Sequence, residues 1–329
     1  MATTTTTVPS AGPVVGSRSF LSRLREGDEI ARMITFLFAA SVVLVTLLLV
    51  FELWQGSVLP RHKFGFDFFR TSVWDPIFGQ FGALPFIYGT LVTAAVSLII
   101  AVPLGIGAAI FLAELAPARV SDTLEFFIDL LAAVPSVIYG LLGVFIVVPL
   151  MRQYVQPALK HSLGFLPLFQ GPAYGVGFLT AGIVLAIMVI PYIISVSREV
   201  LLSVPRDQRE AALSLGSTRW ESTWKVVVPF ARSGIFGSIF LALARALGET
   251  MAVTMVIGNS PIISASLFSP GYSIAAVIAN EFSEASGDLY LGSLIELGLV
   301  LFILTFVLNG IARLLIVATS QRGSGMSHA

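Results

Sequence analysis

Long apolar runs separated by short polar stretches dominate the chain. Six of them, 33–54, 86–113, 126–150, 175–197, 234–258 and 290–317, reach the roughly 20 residues a helix needs to cross a bilayer. None shows the alternation of a barrel strand, so their backbone groups have to be satisfied within helices. The pattern predicts an all-α polytopic membrane protein with six transmembrane helices over residues 33–317. Residues 1–17, rich in Thr, Pro and Gly, cannot build a core and read as a disordered tail. Residues 18–32 mix charges with Phe20, Leu21, Leu24 and Ile30, as an interfacial amphipathic segment would. A signal peptide is the competing reading, but the run at 33–54 is too long for its apolar core and no small-residue cleavage site follows. Residues 318–329 form a polar tail.

Breakers interrupt the pattern at Pro103 with Gly105 and Gly107, at Pro135 and at Pro191. Kinks tolerated by neighbouring helices are one account. Helices bent around a translocation path are the other. Proline alone does not separate them.

Composition supports the membrane assignment. Of 329 residues, 56% are hydrophobic and 12% charged, against about 25% charged in soluble domains. The zero net charge argues against nucleic acid as a partner. There is no cysteine, hence no disulfide or thiolate metal site, and His62, His161 and His328 fall outside the apolar runs. Lys and Arg set the direction. Loops 55–85 and 151–174 hold only Arg61, Lys63, Arg70, Arg152 and Lys160, and 259–289 holds none. The N-terminal segment, loops 114–125 and 198–233 and the C-terminal end hold thirteen, which places both termini in the cytoplasm. Trp54, Trp74, Tyr88 and Tyr290 sit near outer boundaries, as an aromatic belt would.

The stretch "SVPRDQREAALSLGSTRWESTWKVVVP" (203–229) is too polar to span and too patterned for a linker. Pro205 suits the start of a helix and Gly216 its end. Thr218-x-x-Glu221 fits a capping box opening a second helix. The expectation is helix, Gly turn, helix: a rigid knob for a partner protein, or else an amphipathic surface helix.

Glu210-Ala211-Ala212, Gly216 and Val226-x-Val228-Pro229 resemble the EAA loop of ATP-binding-cassette importer permeases, with Val where Ile and Leu are usual. The runs 89–117, 130–143, 245–259 and 270–282 resemble the phosphate-specific branch of that family. The resemblance implies a type I importer permease (MetI-like) architecture in a bacterial plasma membrane. It further implies that Glu210, Ala211, Ala212 and Gly216 belong to a coupling helix docking on an ATPase. The implied partners are a second, similar permease, two ATPase copies and an extracytoplasmic phosphate-binding protein. The sequence has no G-x-x-x-x-G-K-[ST] motif, so ATP and Mg are expected on the partner ATPase, with no cofactor in this chain.

Arg245 and Glu249 stand four residues apart inside the run 234–258. At 1.5 Å per residue Arg245 falls near mid-membrane, where insertion costs roughly 2.5–3.5 kcal/mol. On a continuous helix Glu249 lies one turn on and leans back over Arg245. A packing ion pair is one reading, though desolvation makes such pairs poor stabilisers. An anion site is the other, since guanidinium binds tetrahedral oxyanions through two parallel hydrogen bonds. Phosphate keeps a P–OH near neutral pH that can donate to Glu249; sulfate has none. The family resemblance carries the path role to Arg245 and Glu249. Thr250 is added as a hydroxyl ligand, and Ser136 and Tyr139 either supply hydrogen bonds or pack the core. Glu296 is expected either to partner Arg245 or to sit in the outer headgroup region. Asn280 and Glu281 read as facing the binding protein or as ordinary loop, and Asp129 as reaching the inner interface. A permease for another oxyanion, a membrane enzyme and a structural subunit are the alternatives. No apolar run holds the residue set an enzyme would need.

Overall fold

A computed structural model describes residues 28–324 of the backbone and side chains 29–314; the expected tail 1–17 and most of the segment 18–32 lie outside these. The chain forms two compact units divided between Glu52 and Leu53. Helix α1 (Asp28–Gly56) carries all the described residues of the first. Its apolar residues surround the axis rather than forming a stripe, which suits a lipid-crossing helix. Its start also absorbs 28–32, so those residues extend the span instead of forming a separate surface segment.

The second unit starts with α2 (Val58–Phe64), a 3-10 turn (Gly65–Phe69) and a two-stranded antiparallel hairpin, β1 (Trp74–Asp75) and β2 (Gln80–Phe81), in which Trp74 faces Phe81. Then come α3 (Leu84–Leu115), α4 (Ala118–Ala132), α5 (Ser136–Leu163), α6 (Phe178–Leu202), α7 (Arg206–Ser214), α8 (Arg219–Leu247), α9 (Met251–Ile257), α10 (Ile274–Glu281) and α11 (Asp288–Ser324). Among the described residues six helices are long and apolar enough to cross a membrane: α1, α3, α5, α6, α8 and α11. The helix α11 runs through 318–324, so the expected tail starts as a helical extension.

Two spans differ from the sequence expectation. The third starts at Ser136, not 126. Residues 126–132 instead close α4, whose Phe126, Phe127, Leu130 and Leu131 are exposed and raise the local hydropathy. Asp129 is therefore an exposed residue of α4, outside the span. The cause is Pro135, which is extended (φ −58°, ψ 141°) and disfavours helix in the residue before it. The fifth span is not continuous over 234–258. It starts earlier, at Arg219, stops at Leu247, and resumes as α9. By contrast Pro103 and Pro191 stay inside unbroken helices, so the expected interruptions at both are absent.

The core forms around α6, the most buried of the spans. It packs along α3 at close range because small residues face it. A Cβ on Gly105 would sit 2.7 Å from Ile193 Cγ2, and one on Gly182 2.4 Å from Val96 Cγ1. Small-residue packing is thus what Gly105 serves, and tight flanking contact with α6 explains how Pro103 is tolerated.

Candidate translocation path and coupling surface

The breaks at 133–135 and 248–250 are brought together. Both α5 and α9 start immediately after a break, and they lie parallel. A Cβ on Gly140 would meet Met255 Sδ at 2.5 Å, and one on Gly143 would meet Val256 Cγ1 at 2.7 Å. Five expected path residues, Ser136, Tyr139, Arg245, Glu249 and Thr250, flank these breaks.

Arg245 occupies the last turn of α8, where the negative end of the helix dipole favours a cation. It is exposed and forms no ion pair among the described residues; its guanidinium carbon lies 5.7 Å from the centre of the Tyr192 ring. The pairing with Glu249 expected of a continuous helix does not form, because the helix ends at Leu247 between the two residues. Glu249 instead accepts from the Ala252 backbone N–H at 3.2 Å, holding the first turn of α9. Its second carboxylate oxygen carries no hydrogen bond among the described residues. Thr250 adjoins it, with Oγ1 donating to the Gly248 carbonyl at 3.3 Å. Ser136 is half-buried at the first turn of α5. Tyr139 is buried and donates to the Leu131 carbonyl across the break at 2.8 Å, so its hydroxyl hydrogen fixes the chain rather than facing a ligand.

At the other functional surface the local expectation is met in detail. Helix α7 starts after Pro205 and ends in a Schellman turn. Ser217 N–H donates to the Ala212 carbonyl (3.3 Å) and Gly216 N–H to Leu213 (3.0 Å), with Gly216 at φ +86°. The capping box follows: Thr218 Oγ1 accepts from Glu221 N–H, and Glu221 accepts from Thr218 N–H. Glu210, Ala211 and Gly216 are exposed and Ala212 half-buried, with Leu215 projecting from the tip at 90% exposure. The knob is held by Arg209, which binds Glu114 at the end of α3 (2.8 Å) and the Leu201 carbonyl of α6 (2.7 Å). Nearby, Arg198 pairs with Glu125 and reaches Ser121 Oγ at 3.3 Å.

Residues 101–320 match the family model described as "binding-protein-dependent transport system inner membrane component". The chain is 47% identical over 290 residues to the phosphate transport system permease protein PstC of Mesorhizobium japonicum, covering 86% of this chain and 89% of that one. It is 45% identical over 327 residues to the PstC of Xylella fastidiosa strain Temecula1, covering 97% and 99%. The chain belongs to the PstC permease family. Solved structures agree on the fold. The inward-facing MetNI methionine ABC transporter gives a TM-score of 0.52 at 16% identity over 75% of this chain and 99% of that one. A bacterial ABC transporter importing alginate gives 0.53 at 15% identity over 88% and 98%.

In this PstC-family chain several polar residues have surroundings that the sequence left open. Glu296 is 3% exposed and forms no ion pair with Arg245 among the described residues; it lines a cavity with Arg61 of α2. Glu281 turns inward, accepting from Trp74 Nε1 (2.8 Å) and Tyr290 OH (2.7 Å), and Asn280 donates to Tyr272 OH at 3.0 Å. Trp74 and Tyr290 therefore cluster with Phe81 and Phe86 instead of forming a belt. Burial pushes the Tyr272 hydroxyl up to about 12, so it stays protonated as the acceptor of Asn280. The ties Arg209–Glu114 and Arg198–Glu125 were missed altogether. Each joins residues far apart in sequence, and the only sequence signal was an acidic residue at each end of the loop 114–125.

Proposed function

We propose that the chain is a transmembrane subunit of an ATP-driven importer of inorganic phosphate, working by alternating access. Its membership of the PstC family, whose relatives are named phosphate transport permeases, supports the substrate. The family description supports a binding-protein partner. The remaining parts are a second similar permease, two ATPase copies docked through Glu210, Ala211, Ala212 and Gly216, and cytoplasmic termini in a plasma membrane. ATP and Mg belong to the ATPase. The expected permease domain over 33–317 is kept with the amended third and fifth spans, and the coupling loop expected at 198–233 shortens to the residues between Leu202 and Arg219.

The observation that carries the path is Arg245: an exposed guanidinium with no ion pair among the described residues, at the end of a broken membrane helix. A charge in that setting is costly unless it faces a cavity or a ligand. Arg245 supplies two parallel donors to a phosphate in transit. Glu249 and Thr250 follow on the other side of the break, and Ser136 opens α5, the helix packed against α9. The binding protein delivers phosphate outside, the ATPases close on the coupling knobs, and the cavity changes sides. Arg245→Ala is expected to lower uptake by about a hundredfold or more while the complex still assembles, since two charge-assisted bonds are lost. Ordinary uptake by that variant in reconstituted vesicles would remove Arg245 from the path.

A further inference from the structure

A second charged site lies away from the breaks, where α2 and the 3-10 turn pack on α11. Trp54, Arg61, Gly65, Phe66, Phe69, Glu296, Leu299, Val300 and Ile303 line a cavity of about 370 Å³. Two of its charged groups are incompletely partnered. Glu296 is 3% exposed, yet its Oε2 has no hydrogen-bond partner among the described residues. Arg61 stacks on the Trp54 ring at 3.6 Å and donates Nη2 to the Trp54 carbonyl, but its buried Nη1 has no partner. The two form no ion pair with each other among the described residues, although both line the same cavity. A buried carboxylate oxygen and a buried guanidinium N–H left open are each costly. Together they present one anion site and one cation site across a cavity with otherwise apolar walls.

The position restricts what can complete them. Glu296 lies eight residues past the start of α11, about 12 Å along the helix, which is near the boundary between headgroups and acyl chains. The cavity rim is apolar and open: Phe66 is 85% exposed, Trp54 54% and Ile303 48%. An occupant must be zwitterionic at one end and hydrocarbon at the other.

We propose that this cavity binds the headgroup of an aminophospholipid, with its phosphate on Arg61 and its ammonium on Glu296. Its acyl chain runs from the cavity wall at Leu299 and Val300, both buried, out past the exposed Ile303 of α11. The lipid supplies the donor that Glu296 lacks and the acceptor that Arg61 Nη1 lacks. It acts as a wedge holding α2 and the extracytoplasmic hairpin region to the last span. Arg61 and Trp54 lie outside the matched family region 101–320, so the site joins a part of the chain the general transporter family does not describe to one that it does.

The complete complex, reconstituted in nanodiscs of equimolar phosphatidylethanolamine, phosphatidylcholine and phosphatidylglycerol and then extracted mildly, tests this by native mass spectrometry. The wild type should retain phosphatidylethanolamine over both other lipids by roughly tenfold, the worth of one charge-assisted hydrogen bond. Phosphatidylcholine has the same charges but an ammonium that cannot donate. Glu296→Gln should abolish the preference over phosphatidylglycerol, and Arg61→Ala should lower retention of all three. Bulk-ratio retention by the wild type overturns the proposal without any variant having to fold. So does a preference unchanged in Glu296→Gln. Displacement of the lipid by millimolar glycerophosphoethanolamine would make the ligand a soluble headgroup and also overturns it.

Discussion

At the scale of single residues, the break in the fifth span changes what Glu249 can do. Bound to Arg245 on a continuous helix, the carboxylate would have been neutralised. Held instead by the Ala252 N–H, it keeps one oxygen without a hydrogen bond among the described residues, across the break from Arg245. Such an oxygen accepts a hydrogen bond from the P–OH of phosphate and repels sulfate, which has no proton to offer. Glu249→Gln removes the repulsion and leaves Arg245 to bind either anion. The expected result is a phosphate-over-sulfate preference narrowed by about tenfold, the worth of one charged hydrogen bond. Competition of sulfate against labelled phosphate uptake measures it. Identical inhibition constants in variant and wild type would leave Glu249 with the capping of α9 as its role.

At the scale of elements, what could be read from sequence divides by range. The coupling knob was legible because its determinants are local: Pro205 starts α7, Gly216 ends it, and Thr218 and Glu221 cap the next helix within four residues. The spans were legible as apolar runs, but their ends were not. Hydropathy cannot separate the exposed apolar face of α4 from the start of α5, and it ignores the stop at Gly248. The ion pairs that seat the knob, Arg209 with Glu114 above all, depend on α3 and α6 meeting and have no sequence pattern. The turn itself can be tested. Gly216 is at φ +86° with nothing within 4 Å of where a Cβ would lie, so a substitution there acts on the backbone alone. Gly216→Val should cost about 1–2 kcal/mol of turn stability and misdirect the tip. Assembly of the membrane helices should survive, while phosphate carried per ATP hydrolysed falls several-fold. Unaltered stoichiometry in the purified complex would mean that the tip geometry does not transmit the ATPase stroke.

At the scale of the whole molecule, the two ends of the second unit differ in how many Lys and Arg residues they carry. One carries α7 and the basic residues around it, Arg198, Arg206, Arg209, Arg219 and Lys225. The other carries the hairpin, α10 and the acidic residues Glu281, Glu284 and Asp288. The positive-inside rule assigns the first end to the cytoplasm, where an ATPase would find the knob. The native chain contains no cysteine, so single cysteines can report the direction without background. Leu215 at the knob tip and Ile77 in the hairpin turn are each 90% exposed. With a membrane-impermeant maleimide on spheroplasts, Ile77→Cys should label at once and Leu215→Cys only after permeabilisation. Adding the partner ATPase to permeabilised membranes should then protect Leu215→Cys and leave Ile77→Cys reactive. Labelling in the reverse order would invert the topology. It would also place the knob where no cytoplasmic ATPase reaches it. Correct sidedness without protection would keep the topology but separate α7 from the ATPase contact.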